Sequence, residues 1–297
     1  MTDAPFELPA ELAIDTDVAR RVIAEFIRGQ LRQAGFEQTV VGLSGGIDSA
    51  LVAYLVAEAI GPDRLHAVLM PYRASSPASR GDAETVVADL GCSSELIEIT
   101  AMVDGYFGDG AAGAAGAAGI ETAPASVLRR GNFAARMRMA VLYDRSVVRS
   151  GLVVGTGNKT ETLIGYTTLF GDSACAFNPI GDLYKSQVRQ LAVAIGVPDA
   201  IVRKAPTADL WPGQTDETEG GFDYPTLDRL LFWRIDKRRS DDEMVALGFD
   251  PAMIERVDRM VAGAEFKRQV PPIAKLGPRT TGVDYLYPRR RPGSARV

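Results

Sequence analysis

From Thr39 onward the chain alternates short apolar runs with longer stretches that stop at glycine, and this alternation narrows the fold more than any other feature. Thr39 to Leu43 reads as a short buried strand, and about Asp48 to Ile60 reads as a helix stopped by Gly61. Leu65 to Met70 reads as a second strand, about Gly81 to Leu90 as a helix stopped by Gly91, and Leu96 to Ile99 as a third strand. Such a βαβαβ rhythm with apolar strands predicts an α/β fold, a Rossmann-like parallel sheet flanked by helices on both faces. Ahead of it, Val18, Val22, Ile23, Phe26, Ile27 and Leu31 recur at helical spacing, giving a helix from about Thr16 to Gln33 with Gly35 as its stop. Behind it come a long helical stretch from about Ala125 to Arg149, a strand from Leu152 to Gly155, a helix from about Tyr184 to Ile195 and a helical C-terminal portion.

The 297 residues read as one domain with a core over about 17–272. Residues 108 to 119 repeat Ala-Ala-Gly. A glycine at every third position weakens the helix that alanine favours, so about 108–124 is expected to be a flexible insertion. Pro206 to Gly221 has no periodicity and is long for a connection, as lids are, and about 273–297 reads as a tail.

Several classes of function fall away. No run of about 18 apolar residues exists to span a bilayer, and the start, MTDAPFELPAEL, has no positive or apolar export segment, so the cytoplasm is expected. A net charge of -5 gives no global reason to bind nucleic acid or an anionic membrane. Arg289 to Arg291 and Lys237 to Arg239 read as solvated charge. Cys92 and Cys175 lie far apart and outside any C-x-x-C pair, which argues against a disulfide framework or a zinc site. The single histidine, His66, falls inside an apolar strand run and reads as structural, so the chemistry is expected to proceed without a histidine.

The chemistry-bearing segment is Ser44-Gly45-Gly46-Ile47-Asp48-Ser49, directly after the first strand and before an apolar helix. Adjacent glycines let backbone N–H groups turn toward one point, and the helix N-terminus adds partial positive charge, so the segment reads as an anion cradle with Ser44 and Ser49 as hydroxyl donors. It is neither a Walker A loop nor G-x-G-x-x-G. Asp48 would repel a phosphate unless a cation lay between them, and a hard-oxygen cation such as Mg²⁺ satisfies both. A plain Ser/Gly turn with an aspartate at the helix start is the competing reading.

The segment resembles the signature of the N-type ATP pyrophosphatase superfamily and, within it, of the NAD synthetases. Further blocks carry the resemblance: Arg130-Gly131-Asn132-Phe133-Ala134-Ala135-Arg136-Met137-Arg138, Gly155-Thr156-Gly157-Asn158-Lys159-Thr160-Glu161, Gly165-Tyr166-Thr167-Thr168-Leu169-Phe170-Gly171-Asp172, Asp182-Leu183-Tyr184-Lys185, Pro206-Thr207-Ala208-Asp209 and Lys267-Arg268-Gln269. The resemblance implies an adenine nucleotide alpha hydrolase-like fold. It also implies a two-step reaction: the carboxylate of deamido-NAD attacks the α-phosphorus of ATP, pyrophosphate leaves, and ammonia displaces AMP to give NAD.

The resemblance assigns Asp48 and Glu161 to Mg²⁺. It assigns Gly42, Leu43, Ser44, Gly45, Gly46, Ile47, Asp48 and Ser49, with Arg138, Thr156, Lys185 and Thr207, to ATP, and Asn132, Arg136 and Lys267 to deamido-NAD. Asn132 and Arg136, four apart on a helix, share a face. Asp172 would hold or deprotonate ammonium, with Asp48 and Lys185 as its catalytic companions. The segment 206–221 would close over the adenylate. Three positions depart from the short bacterial pattern on the deamido-NAD side: Leu169 for a lysine, Ala176 for an aspartate and Phe266 for a histidine. They keep open a related amide synthetase acting on another carboxylate, and a non-catalytic nucleotide-binding protein is a third reading. A Ser44 loop so near the start leaves no room for the amidase domain of glutamine-using members, so free ammonia, or ammonia from a separate amidotransferase, is expected. A homodimer is also implied.

Overall fold

The computed structural model describes residues 8–107, 124–205 and 221–280. The Ala/Gly insertion, Thr207 with most of the 206–221 segment, and the tail beyond residue 280 lie outside the described residues. Four strands, β1 (Gln38–Gly42), β2 (Leu65–Leu69), β3 (Ser93–Leu96) and β4 (Gly151–Val154), form a parallel sheet in the order β3-β2-β1-β4. The helices are α1 (Thr16–Ala34), α2 (Ile47–Ile60), α3 (Pro77–Leu90), α4 (Thr100–Phe107), α5 (Pro124–Arg149), α6 (Lys159–Ile164), α7 (Lys185–Ile195), α8 (Asp199–Val202), α9 (Tyr224–Leu231), α10 (Asp241–Ala246), α11 (Pro251–Gly263) and α12 (Glu265–Arg268).

Period-two alternation along β1 divides the two cores. Val41 faces the cluster built with α1, α2 and α7, including Ile27, Leu51 and Val188, whereas Val40 faces Val103, Ala134 and Val141 of α4 and α5. Helices therefore cover both faces, as the alternation predicts. Because α2 lies against the sheet and also under α1 and α7, it is apolar almost all round, with Leu51, Val52, Leu55 and Val56 fully buried. A third cluster joins Leu227, Leu231, Met244 and Ile254 of the C-terminal helices to Ile164, the last residue of α6, and Tyr184, which precedes α7.

Two elements differ from the sequence reading. α3 starts at Pro77, four residues before Gly81, because proline is tolerated at a first helical position where its missing N–H is unneeded. β3 is Ser93–Leu96 rather than Leu96–Ile99, pairing His66 with Ser93 and Leu69 with Leu96. It is an edge strand with exposed polar residues, so it lacks the apolar run that marks its inner neighbours. His66 is structural: it is buried in β2, with Nδ1 2.9 Å from the Ser93 hydroxyl. Burial, and next the charge of Arg149, hold its pKa below the ordinary range.

Candidate active site

The strand order reverses direction at β1, where β2 leaves on one side and β4 arrives on the other. Such a switch point opens a crevice at the carboxyl ends of the strands. Val41 pairs with Val154, so the loop after β1 (residues 43–46) and the loop after β4 (residues 155–158) stand side by side at its mouth. A cavity of about 790 Å³ opens there, large enough for a nucleotide-sized ligand.

The first loop is held by its own polar groups. The Ser49 hydroxyl donates to the Gly46 carbonyl at 3.0 Å and accepts from the Ser44 N–H at 3.2 Å, and the Ser44 hydroxyl accepts from the Gly46 N–H at 3.3 Å. These hydroxyls therefore brace the loop, where the sequence suggests ligand donors. Gly46 caps α2 without any side-chain hydrogen bond, so the helix N-terminus is left to a ligand. Gly45 has φ +79° and lies under the Ser79 carbonyl, where a Cβ would come closer than 3.0 Å; only glycine satisfies both conditions.

Four charged or amide side chains meet between the loops. Lys185, the first residue of α7 and 3% exposed, reaches Asp48 Oδ2 and lies 3.2 Å from Glu161 Oε1. Asn158 donates from Nδ2 to Asp48 Oδ1 at 2.9 Å, and its side chain and backbone form a capping box with Glu161. A lysine at a helix N-terminus opposes the macrodipole, and the two carboxylates offset it. Within this trio two carboxylates stand against one ammonium, and all three side chains line the cavity. The donor set of hard oxygens fits Mg²⁺, which takes one or two carboxylates and completes its shell with water and phosphate oxygens. Among the described residues no three His, Cys, Asp or Glu side chains converge as a self-sufficient metal cage.

The opposite wall is the loop after α6. Asp172 is exposed and turned into its own loop, accepting from the Thr167 hydroxyl at 2.6 Å and from the Thr168 N–H at 2.7 Å. Asn132 Oδ1 accepts from the Thr168 hydroxyl at 2.7 Å, and Arg136 donates to the Leu169 carbonyl at 3.1–3.2 Å. The shared helix face thus meets this loop, and Arg136 does not line the cavity, whereas Asn132 does. Lys267 donates to the Gly165 and Thr167 carbonyls at 2.7 and 2.8 Å; burial lowers its pKa, opposed by the charge of Asp172. Arg138 donates to the Met70 carbonyl at 3.1 Å and lines the cavity, as do Thr156, Gly42, Leu43 and Ile47.

Two cavity or support residues have no role in the motif reading. Lys204 lines the cavity and donates to Asp82 at 2.7 Å and to the Ser79 hydroxyl at 3.1 Å; no local pattern marks it. Asn158 carried a signal, since Asn followed three residues later by Glu is a capping box.

A sequence model of the NAD synthase family matches residues 19–271. The chain belongs to that family. It is 46% identical over 280 residues to an NH(3)-dependent NAD(+) synthetase of Trichlorobacter lovleyi, covering 94% of this chain and 98% of that one. Among solved structures, an NH3-dependent NAD synthetase from Campylobacter jejuni is 33% identical with a TM-score of 0.71, covering 89% of this chain and all of that one. An NMN synthetase from Francisella tularensis is 27% identical with a TM-score of 0.74, covering 88% and 99%. These kinships make the chain an enzyme, a synthetase of the family. They also account for the shared sheet and switch-point crevice.

Proposed function

We infer that the chain is an ammonia-dependent ligase that converts deamido-NAD to NAD, using ATP and releasing AMP and pyrophosphate. The observation that carries this reading is the meeting of Asp48, Glu161 and Lys185 beside an uncapped helix N-terminus, in one cavity with Asp172 and Lys267. Family membership and the curated relative's name supply the substrate.

On this reading the loop from Gly42 to Ser49 takes the pyrophosphate part of ATP on its backbone N–H groups, with Thr156, Arg138 and Thr207 further along the nucleotide. Asp48 and Glu161 would hold Mg²⁺. The ion, when bound, neutralises phosphate charge and polarises the α-phosphate. Lys185, a point charge beside these carboxylates, steadies the departing pyrophosphate as the P–O bond to it breaks and the substrate carboxylate bonds to phosphorus. Asn132, Arg136 and Lys267 support the deamido-NAD side. Ammonia then attacks the acyl carbon and AMP leaves. Asp172 offers oxygens to the incoming ammonium and takes the proton that must leave before the nitrogen lone pair can attack, a role open to a carboxylate where no histidine lines the cavity among the described residues.

The wider reading includes one unit spanning about 17–272, a homodimer, a cytoplasmic setting consistent with two free thiols at Cys92 and Cys175, and ammonia that is free or delivered by a separate amidotransferase. No helix among the described residues is long and apolar enough to cross a membrane.

The test is a product assay with Mg-ATP, ammonium and deamido-NAD, in which NAD, AMP and pyrophosphate are expected in equal amounts. A parallel arm offers the mononucleotide carboxylate that corresponds to NMN. Pyrophosphate formed from the mononucleotide but not from deamido-NAD would move the assignment to the amide synthetase reading, which Leu169, Ala176 and Phe266 keep in view.

A further inference from the structure

Asp228 lies on α9, outside every motif above, and is fully buried on the helix face that also carries Tyr224, Leu227 and Leu231. Burying a carboxylate is costly, and an apolar residue would complete that face at lower cost. The acid is therefore explained by its acceptor oxygens. Oδ1 accepts from the Thr160 hydroxyl at 2.6 Å, Oδ2 accepts from the Ser186 N–H at 2.7 Å, and the Thr160 hydroxyl in turn accepts from the Lys185 N–H at 3.0 Å. Thr160 immediately precedes Glu161 and Ser186 immediately follows Lys185.

We propose that Asp228 is a positioning residue for the reaction: its carboxylate clips the first turns of α6 and α7 together and so sets where Glu161 and Lys185 stand relative to each other. The assignment rests on the roles given to those two residues under the proposed function. The physical basis is that a single carboxylate takes the Ser186 N–H from the first turn of α7 and the Thr160 hydroxyl from the first turn of α6. Charge-assisted hydrogen bonds to N–H and hydroxyl donors are shorter and more directional than neutral ones. Asp228 does not line the cavity, so it acts through the residues it holds rather than on a ligand directly. Displacements of an ångström in such a pair are felt in the chemical step more than in binding.

The experiment measures steady-state kinetics of Asp228→Asn with ATP, ammonium and deamido-NAD, beside its thermal midpoint at pH 8. The expected result is a kcat per folded molecule about tenfold or more below the parent, with KM values within about threefold. A residue that served packing alone would lower the midpoint and leave kcat per folded molecule unchanged. A folded Asp228→Asn with kcat within about twofold of the parent overturns the proposal. If that variant does not fold, Thr160 takes its place: Thr160→Val should reproduce the fall and Thr160→Ser should restore activity, and equal activity of the two overturns the proposal. Lys185→Met runs alongside. Near-parent turnover in Lys185→Met overturns the site reading and the proposal with it, whereas an inactive Lys185→Met beside an active Asp228→Asn overturns the proposal alone.

Discussion

The two walls of the cavity are built differently. On the wall between β1 and β4, polar side chains far apart in sequence are bonded to one another: the buried Lys185 to the half-buried Asp48 and Glu161, and the buried Asn158 to Asp48. On the wall formed by residues 165–172, side chains hold backbone: Arg136 grips the Leu169 carbonyl, and Lys267 grips those of Gly165 and Thr167, while Asp172 stays exposed. A charge constellation fixed by other charges admits little substitution, because removing one partner strands the rest in a poorly solvated place. A loop held through its carbonyls keeps its shape whatever side chains it presents. Of the three positions that the sequence reading sets apart, Leu169 belongs to the second wall and Phe266 precedes Lys267, whereas Ala176 donates its N–H to the Val153 carbonyl of β4, beside the first.

Substitutions that separate the walls should therefore differ in size and in kind. The largest effect is expected from Asp48→Asn or Glu161→Gln, which should lower pyrophosphate formation about 10³-fold with the fold intact. Near-normal turnover in either would break the first half of the comparison. Next is the pH dependence of stability at Asp228. Burial pushes its carboxyl up to about 6 against the donors from Ser186 and Thr160 and the Lys185 charge. A raised acid favours the folded state below the unfolded value and loses that advantage as pH rises through the folded one. Relative to Asp228→Asn, the parent should thus lose about 3 kcal/mol between pH 3.5 and pH 7. Denaturant titrations at both pH values would measure this, and a constant difference would contradict it.

Gly45→Ala should follow, destabilising by about 2 kcal/mol or more, because a Cβ there combines positive φ with the Ser79 carbonyl. A denaturation midpoint equal to the parent's would count against the close packing of α3 on this loop. On the second wall, Lys267→Ala should raise KM for deamido-NAD about tenfold and leave KM for ATP unchanged. Smallest is Arg136→Gln, which loosens one carbonyl grip at an exposed site, with an expected change of about threefold, again confined to deamido-NAD. An ATP-side effect in either variant would erase the distinction between the walls.

Much of this is legible in the sequence. The strand-turn-helix around Ser44 to Ser49 could be read because its determinants are local: two glycines, an apolar run on each side and a helix start. The same holds for the glycine stop after α1, where Gly35 adopts the left-handed conformation. The position of β3 is not legible in the sequence, because an edge strand carries no apolar run, and the start of α3 is marked only by a single proline. Asp228, a lone acid four residues after Tyr224 on an apolar helix face, is a visible irregularity to which no motif gives a role. Lys204 offered no cue at all.

The sequence by itself determined the α/β class, the anion-binding turn and the residue types of the catalytic set, since these follow from periodicity, glycine conformational freedom and the chemistry of neighbouring side chains. Only the tertiary structure decided which of those residues meet. Lys185 joins Asp48 across 137 positions of chain and Glu161 across 24. It does so because a parallel sheet that reverses its strand order at β1 brings two loop ends and one helix start to a single point, and no pattern along the chain encodes that convergence.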